Sequence, residues 1–71
     1  MNKRELKAVM VRNGDTGTSL AEYLGMARST FSQKINENGS VFTQKEMAAI
    51  KRRYSLSADD MDLIFFEDKV S

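Results

Sequence analysis

Hydrophobic residues recur at helical spacing along most of the chain, and the alternation typical of strands is nearly absent. In the first segment Leu6, Val9 and Met10 follow the i, i+3, i+4 rule, and the dipeptide Asn13-Gly14 supplies a stop signal. This pattern predicts a first amphipathic helix over about residues 2–12.

A second and a third helix are predicted on either side of Gly25, because glycine adopts a left-handed conformation without a side-chain clash. The third helix opens near Ala27 or Arg28, buries Phe31 and Ile35, and ends at residues 38–39. The second helix has an apolar stripe of Leu20, Ala21 and Leu24, and its candidate N-caps are Thr16, Thr18 and Ser19.

Two capping boxes mark the last two helices. Thr43 followed by Glu46 predicts the start of a fourth helix, and Ser57 followed by Asp60 predicts a fifth over about residues 58–68. The apolar line of the fourth helix consists of Met47, Ile50 and Tyr54. Five helices without a strand predict an all-α fold, with residues 1–71 forming one domain.

The fifth segment has four consecutive apolar residues, 63–66, which wrap around more than one helix face. One interpretation leaves Leu63 or Phe66 exposed for a partner, since a surface helix buries a limited stripe. The alternative is that a chain of this size uses all four residues in its own core.

Composition excludes much of enzyme chemistry. The chain has no Cys and no His, so it lacks thiolate or imidazole zinc ligands and any nucleophile activated by histidine. The carboxylates at Asp59, Asp60 and Asp62 lie at a predicted helix start, where the helix dipole accounts for them without catalysis. We therefore expect a protein that is not an enzyme and needs no cofactor and no metal.

Charge is divided unevenly along the chain. Residues 1–56 carry ten Lys/Arg against five Asp/Glu, a net of +5, and residues 57–71 carry one against five, a net of −4. A basic body suits a polyanion, although ordinary charge fluctuation explains the split equally well. No apolar run approaches the ~20 residues of a membrane span, so we expect a cytoplasmic protein without a membrane partner.

Residues 17–36, GTSLAEYLGMARSTFSQKIN, hold the most specific pattern. A small residue at Ala21 allows two helices to cross, Gly25 permits a sharp turn, and Phe31 anchors the next helix. This motif resembles the lambda-repressor-like (Xre) helix-turn-helix class of bacterial and phage regulators. The resemblance covers the whole chain, and the C-terminal part is similar to short Cro-like or repressor-like phage proteins.

The resemblance implies a compact five-helix DNA-binding domain that represses transcription by occupying operator DNA. Its third helix would enter the major groove of double-stranded DNA, where base pairs are distinguishable. The chain would be a complete Cro-like protein or an excised N-terminal domain. The alternative function is a protein-interaction module, such as an antirepressor, that keeps the helix-turn-helix fold.

The resemblance also assigns roles to individual side chains. The residues expected to contact bases are Arg28, Ser29, Ser32, Gln33 and Asn36. The residues expected to contact phosphates are Thr18, Ser19, Lys34, Ser40, Thr43 and Lys45. For both sets the alternative is an ordinary solvated surface, and solvation is the expectation for Lys3, Arg4, Lys51, Arg52 and Arg53.

Two positions depart from the class pattern. Ala27 stands where the class has a capping Ser or Thr, and Lys34 stands where it has an aliphatic residue, with Ile35 one place later. A displaced or rotated third helix follows as an expectation, which leaves open whether Ser32, Gln33 or Asn36 faces DNA.

Because this class commonly binds two-fold symmetric operators, we expect a homodimer on an approximately palindromic site, weakly associated without DNA. Leu63 and Phe66 are the candidate dimer contacts.

Overall fold

Helical turns connected by short loops account for most of residues 1–66, which are the residues that the computed structural model describes. This part of the chain contains no strand, so it is all-α as predicted. The helices are α1 (Lys3–Arg12), α2 (Gly17–Leu24), α3 (Arg28–Ile35), α4 (Gln44–Tyr54) and α5 (Ala58–Met61), and α5 continues as a π-helical segment, Asp62–Phe66.

Side-chain caps set the starts of four helices. The predicted capping boxes at Thr43 and Ser57 are confirmed, since each side chain accepts a hydrogen bond from the backbone N–H three residues later. Of the three candidate caps for α2, Thr16 is the one used. Asn2 caps α1, whereas α3 begins after Ala27 without a side-chain cap.

Residues in the left-handed conformation lie at or just after the ends of α1, α2, α3 and α4. Gly25 has a φ of 74°, as the sequence predicts. The third helix ends at Ile35, earlier than the expected residues 38–39. The reason is that Glu37 adopts a φ of 53°, and the backbone N–H of Asn38 then donates to the carbonyl of Gln33 at 2.8 Å. This bond satisfies a carbonyl that a longer helix would have used.

The core lies where the five helices meet and is entirely apolar among residues 1–66. Its buried members are Leu6, Val9, Met10, Leu20, Ala21, Phe31, Ile35, Phe42, Ile50 and Ile64. Phe42 belongs to the α3–α4 loop, where no helical periodicity identifies it, and its ring centroid lies 5.8 Å from that of Phe31. The described residues form a compact unit with a radius of gyration of 11.4 Å.

The fifth helix differs from the regular α-helix expected over residues 58–68. Residues 62–66 form a π-helical turn, in which Ile64 is buried and Phe65 is partly buried against the core. The carbonyl of Ile64 accepts a hydrogen bond at 2.6 Å from the backbone N–H of Asn2, which joins the last helix to the start of α1. The expected end near Asp68 lies outside the described residues.

None of the helices in residues 1–66 combines the length and apolar character required to cross a membrane.

Candidate nucleic-acid interface

The α2–α3 pair presents one side of α3 to solvent. Phe31 and Ile35 bury the other side in the core. Ala21 of α2 is also buried, and its small side chain allows the two helices to pack closely. The turn that joins the helices is closed by Gly25 and by Met26, whose backbone N–H donates to the carbonyl of Ala21 at 3.0 Å. The orientation of α3 is therefore set by core packing and by a short turn.

The exposed face of α3 carries Ser29, Gln33 and Asn36, which stand at i, i+4 and i+7 and therefore project from the same side. The side chains of Ser29 and Gln33 make no hydrogen bond within residues 1–66. Ser32 lies at the edge of this face and is half-buried. Of the five residues expected to contact bases, Asn36 is the one whose side chain is hydrogen-bonded within residues 1–66, and Ser29 and Gln33 are exposed on this face with polar groups that make no such bond.

A cleft of about 340 Å³ runs between α1 and α3 beside this face. The apolar side chains of Met10, Phe31 and Ile35 line it, together with two cations, Lys7 and Arg28. Neither cation forms an ion pair within the described residues. One edge of α3 therefore combines polar side chains with unpaired positive charge.

Arg28 lies against its own protein. Its guanidinium carbon stands 5.9 Å from the centroid of the Phe31 ring, and a Cβ placed on Gly17 would come within 2.9 Å of the guanidinium. The glycine at the start of α2 therefore leaves room for Arg28. The exposed guanidinium must leave this position to fork onto a guanine.

Asn36 is already bonded at both ends of its amide. Its Nδ2 donates to the carbonyl of Ser32 at 2.9 Å, and its Oδ1 accepts from Nζ of Lys3 at 2.7 Å. Lys3 is exposed, as expected for a solvated residue, and its ammonium is bonded to this neutral amide. A bidentate contact of Asn36 with adenine would have to replace both bonds.

Lys34 has a partner within the chain. Its ammonium donates to both carboxylate oxygens of Glu46, at 2.8 and 3.0 Å. Partial burial acts to raise the pKa of Glu46, but the hydrogen bonds from Lys34 and Thr43 outweigh it and lower the pKa below its ordinary value. The sequence departure at Lys34 thus serves to tie α3 to the start of α4.

Among the other residues expected to contact phosphates, some side chains are already hydrogen-bonded within the chain and others are not. Ser19 donates to Asp15 at 2.8 Å, and the Thr43 hydroxyl accepts the capping bond of α4 at 3.2 Å. Ser40 is half-buried. Thr18 and Lys45 are exposed, and neither side chain is bonded within residues 1–66.

Asp15 is the centre of a polar cluster that the sequence did not reveal. Its carboxylate accepts two hydrogen bonds from Arg53, at 2.7 and 2.8 Å, and one from the Tyr54 hydroxyl at 2.6 Å. Arg53 also stands 4.5 Å from the centroid of the Tyr23 ring. We call Asp15, Ser19, Tyr23, Arg53 and Tyr54 the Asp15 cluster.

The cluster shifts the titration of its members. The hydrogen bonds from Arg53 and then Tyr54 hold the pKa of Asp15 far below its ordinary value, although burial opposes them. Burial, followed by the hydrogen bond to Asp15, raises the pKa of Tyr54 well above its ordinary value. Arg53 was expected to be solvated, and a pairing over 38 residues leaves no local signal in the sequence.

A second exposed surface is apolar and includes residues of the π-helical segment that follows α5. Phe66 is 59% exposed and Leu63 is 38% exposed, in agreement with the interpretation that left these residues outside the core. Val41 of the α3–α4 loop is 61% exposed and lines a small cavity together with Phe66. Leu63 does not line this cavity but lies three residues before Phe66, and we use the name apolar patch for the three side chains Val41, Leu63 and Phe66.

Comparison of the chain with protein-family models, with curated proteins and with solved structures finds no significant match.

Proposed function

We propose that this protein is a sequence-specific DNA-binding regulator of the helix-turn-helix type, in which α3 enters the major groove. The observation that carries the proposal is the exposed face of α3. Ser29 and Gln33 offer hydrogen-bonding groups that the chain itself does not use, while Phe31 and Ile35 fix the opposite side. A rigid helix with unsatisfied polar groups on one side suits base contacts.

The turn geometry supports the same proposal. The resemblance to the Xre class assigns a tight turn to Gly25, a small residue to Ala21 and a buried anchor to Phe31. Gly25 is left-handed, and Ala21 and Phe31 are both buried. A helical hairpin without this function has no need of all three features at these spacings.

The proposed contacts differ in what they determine. Gln33 suits the N6 and N7 atoms of adenine, and Ser29 suits a base or a phosphate. Arg28 and Lys7 supply positive charge at the cleft, and Thr18 and Lys45 are the phosphate contacts whose groups are free. Phosphate contacts position the protein, whereas base contacts specify the sequence.

The apolar patch supports a homodimer on DNA. Each protomer would bury Leu63 and Phe66 against its partner and place α3 in successive major grooves, with half-site centres about 34 Å apart. Three side chains cover little area, so the interface falls below the ~1,200 Å² of stable complexes and the free protein is expected to be largely monomeric.

Sedimentation with and without DNA tests the dimer. We expect two protomers on a palindromic duplex, and weaker joint occupancy for Phe66→Ala and Leu63→Ala. Val11→Ala, which shortens an exposed apolar side chain on α1 outside the patch, is the control. One protomer on the full duplex contradicts the dimer, and a dimer unaffected by both substitutions removes the patch from its interface.

The function itself is tested by selection on randomised duplex DNA followed by sequencing. The proposal predicts enrichment of one approximate palindrome, with affinity that falls steeply as salt rises because counterions are displaced from DNA. Absence of any enriched sequence contradicts the proposal.

The apolar patch also favours a second candidate function, a protein-interaction module that keeps this helical arrangement. Such a module would bind its partner through Val41, Leu63 and Phe66 with weak salt dependence. Binding of a protein that survives high salt and is lost in Phe66→Ala, in a chain that selects no DNA, would establish this alternative.

A further inference from the structure

We propose that Lys3 of α1 contacts the DNA backbone next to α3, and that Asn36 is the positioning residue that holds Lys3 in place. This inference rests on the proposed function. It changes the roles expected of both residues, since Asn36 was expected to contact a base and Lys3 was expected to be solvated.

The geometry starts from the amide of Asn36. Its Nδ2 is bonded to the carbonyl of Ser32, one turn earlier on α3, and this bond fixes the plane of the amide. The Oδ1 then accepts from Nζ of Lys3 at 2.7 Å. Because Asn36 shares a helix face with Ser29 and Gln33, the ammonium of Lys3 is held at the margin of the surface proposed to meet DNA.

The charge of Lys3 is not neutralised by this contact. The acceptor is a neutral amide, and no carboxylate in residues 1–66 forms an ion pair with Lys3. Lys34 is the contrast, since its partner Glu46 carries the opposite charge. An ordered cation without a counter-charge, placed beside a surface for DNA, suits a phosphate.

Lys7 extends the same edge of α1. It stands four residues after Lys3 and therefore lies on the same side of the helix, and it lines the cleft beside α3. Arg12 lies nine residues after Lys3, which places it about half a turn away on the opposite side of α1. Arg12 is exposed, so it provides a matched control for the loss of one positive charge from the same helix.

The test measures affinity against salt for the selected duplex and for a scrambled duplex of the same length. For Lys3→Met we expect the slope of log affinity against log salt to fall by about 0.9 on both duplexes, since one phosphate contact is lost. The loss of affinity then shrinks about threefold to fourfold between about 50 and 200 mM salt. Lys3→Arg should retain the slope, and Arg12→Met should leave it unchanged.

A double-mutant cycle separates positioning from direct contact. Asn36→Ala should weaken binding to both duplexes, and adding it to Lys3→Met should cost little more, because the two residues act as a unit. If Asn36→Ala fails to fold in a melting experiment, Asn36→Asp replaces it. Aspartate retains the acceptor but neutralises Lys3, so the slope should fall again.

The results that overturn the inference are distinct. A loss confined to the selected duplex in Asn36→Ala would make Asn36 a base contact. Additive losses in the cycle would show that the residues act separately, and a slope equal to that of Arg12→Met would remove Lys3 from the interface. Wild-type protein that binds neither duplex overturns the proposed function and this inference with it.

Discussion

The Asp15 cluster and the exposed face of α3 differ in whether their polar side chains are hydrogen-bonded within the chain. In the cluster the carboxylate of Asp15 accepts bonds from Ser19, Arg53 and Tyr54, and its side chain is only 8% exposed. On α3 the side chains of Ser29 and Gln33 have no partner within residues 1–66. The cluster joins the α1–α2 loop to α4, so its polar groups stabilise the fold.

The difference indicates where function lies. Side chains that hold helices together find partners within the chain, because an unpaired and poorly solvated polar group costs free energy. The polar groups of Ser29 and Gln33 on α3 are exposed, so water can solvate them and they remain available to a ligand without this cost. Asn36 shares a feature with each region, since it lies on the exposed face of α3 but its side chain is bonded to Lys3 and Ser32.

The largest expected effect comes from removing the anchor below the open face. Phe31→Ala should cost ~3 to 5 kcal/mol, since Phe31 is buried against Phe42 and its loss leaves a cavity. That is a large fraction of the stability of a small domain, so DNA binding should fall as well. Thermal melting is the measurement, with Ser29→Ala as the control. A Phe31→Ala melting point close to that of wild type would contradict the position assigned to α3.

A smaller loss is expected at the Asp15 cluster. Asp15→Asn should cost roughly 2 kcal/mol, because it removes a charge that accepts four hydrogen bonds, two from Arg53 and one each from Ser19 and Tyr54. The pKa of Asp15 lies lower in the fold than in the unfolded chain, where it is about 3.9. The stabilisation is therefore present above pH 4 and is lost as the pH falls below it.

Urea unfolding between about pH 2 and 7 measures this dependence. The acid-sensitive part of the stability should shrink in Asp15→Asn and persist in Glu22→Gln, which changes an exposed carboxylate on the neighbouring helix. An unchanged acid profile in Asp15→Asn would mean that the cluster does not govern the stability.

The smallest expected change in stability comes from a strained residue at the end of α4, which belongs neither to the Asp15 cluster nor to the exposed face of α3. Ser55 has a φ of 53° at the end of α4, a conformation that favours glycine. Relief of about 1 to 2 kcal/mol of left-handed strain outweighs the roughly 0.4 to 1 kcal/mol that the greater freedom of glycine in the unfolded chain costs, so Ser55→Gly should raise the free energy of unfolding by about 0.5 to 1 kcal/mol without changing DNA affinity. The reverse change, Gly25→Ser, should lower it. A destabilised Ser55→Gly variant would show that the Ser55 side chain contributes more than its backbone strain costs.

Local patterns predicted most of the fold. The boxes at Thr43 and Ser57, the left-handed Gly25 and the buried pair Phe31 and Ile35 all depend on residues within a few positions of each other. Such signals act within one helical turn, so they can be recognised without knowledge of the tertiary structure.

The missed features depend on long-range contacts. Arg53 meets Asp15 across 38 residues, and Lys3 meets Asn36 across 33 residues. Neither pairing follows from periodicity, because each depends on how the helices pack. Phe42 was missed since it enters the core from a loop, and no periodicity in the sequence distinguishes the π-helical turn over residues 62–66 from a regular α-helix.

The most direct test of the account is a paired titration of wild-type protein and Gln33→Ala on the selected duplex and on a scrambled duplex. Gln33 is exposed and makes no side-chain hydrogen bond within residues 1–66, so its loss should leave the melting temperature unchanged. The account predicts that affinity falls by ~1 to 3 kcal/mol on the selected duplex and changes little on the scrambled one. An equal loss on both duplexes, or no loss on either, would contradict the claim that α3 recognises bases.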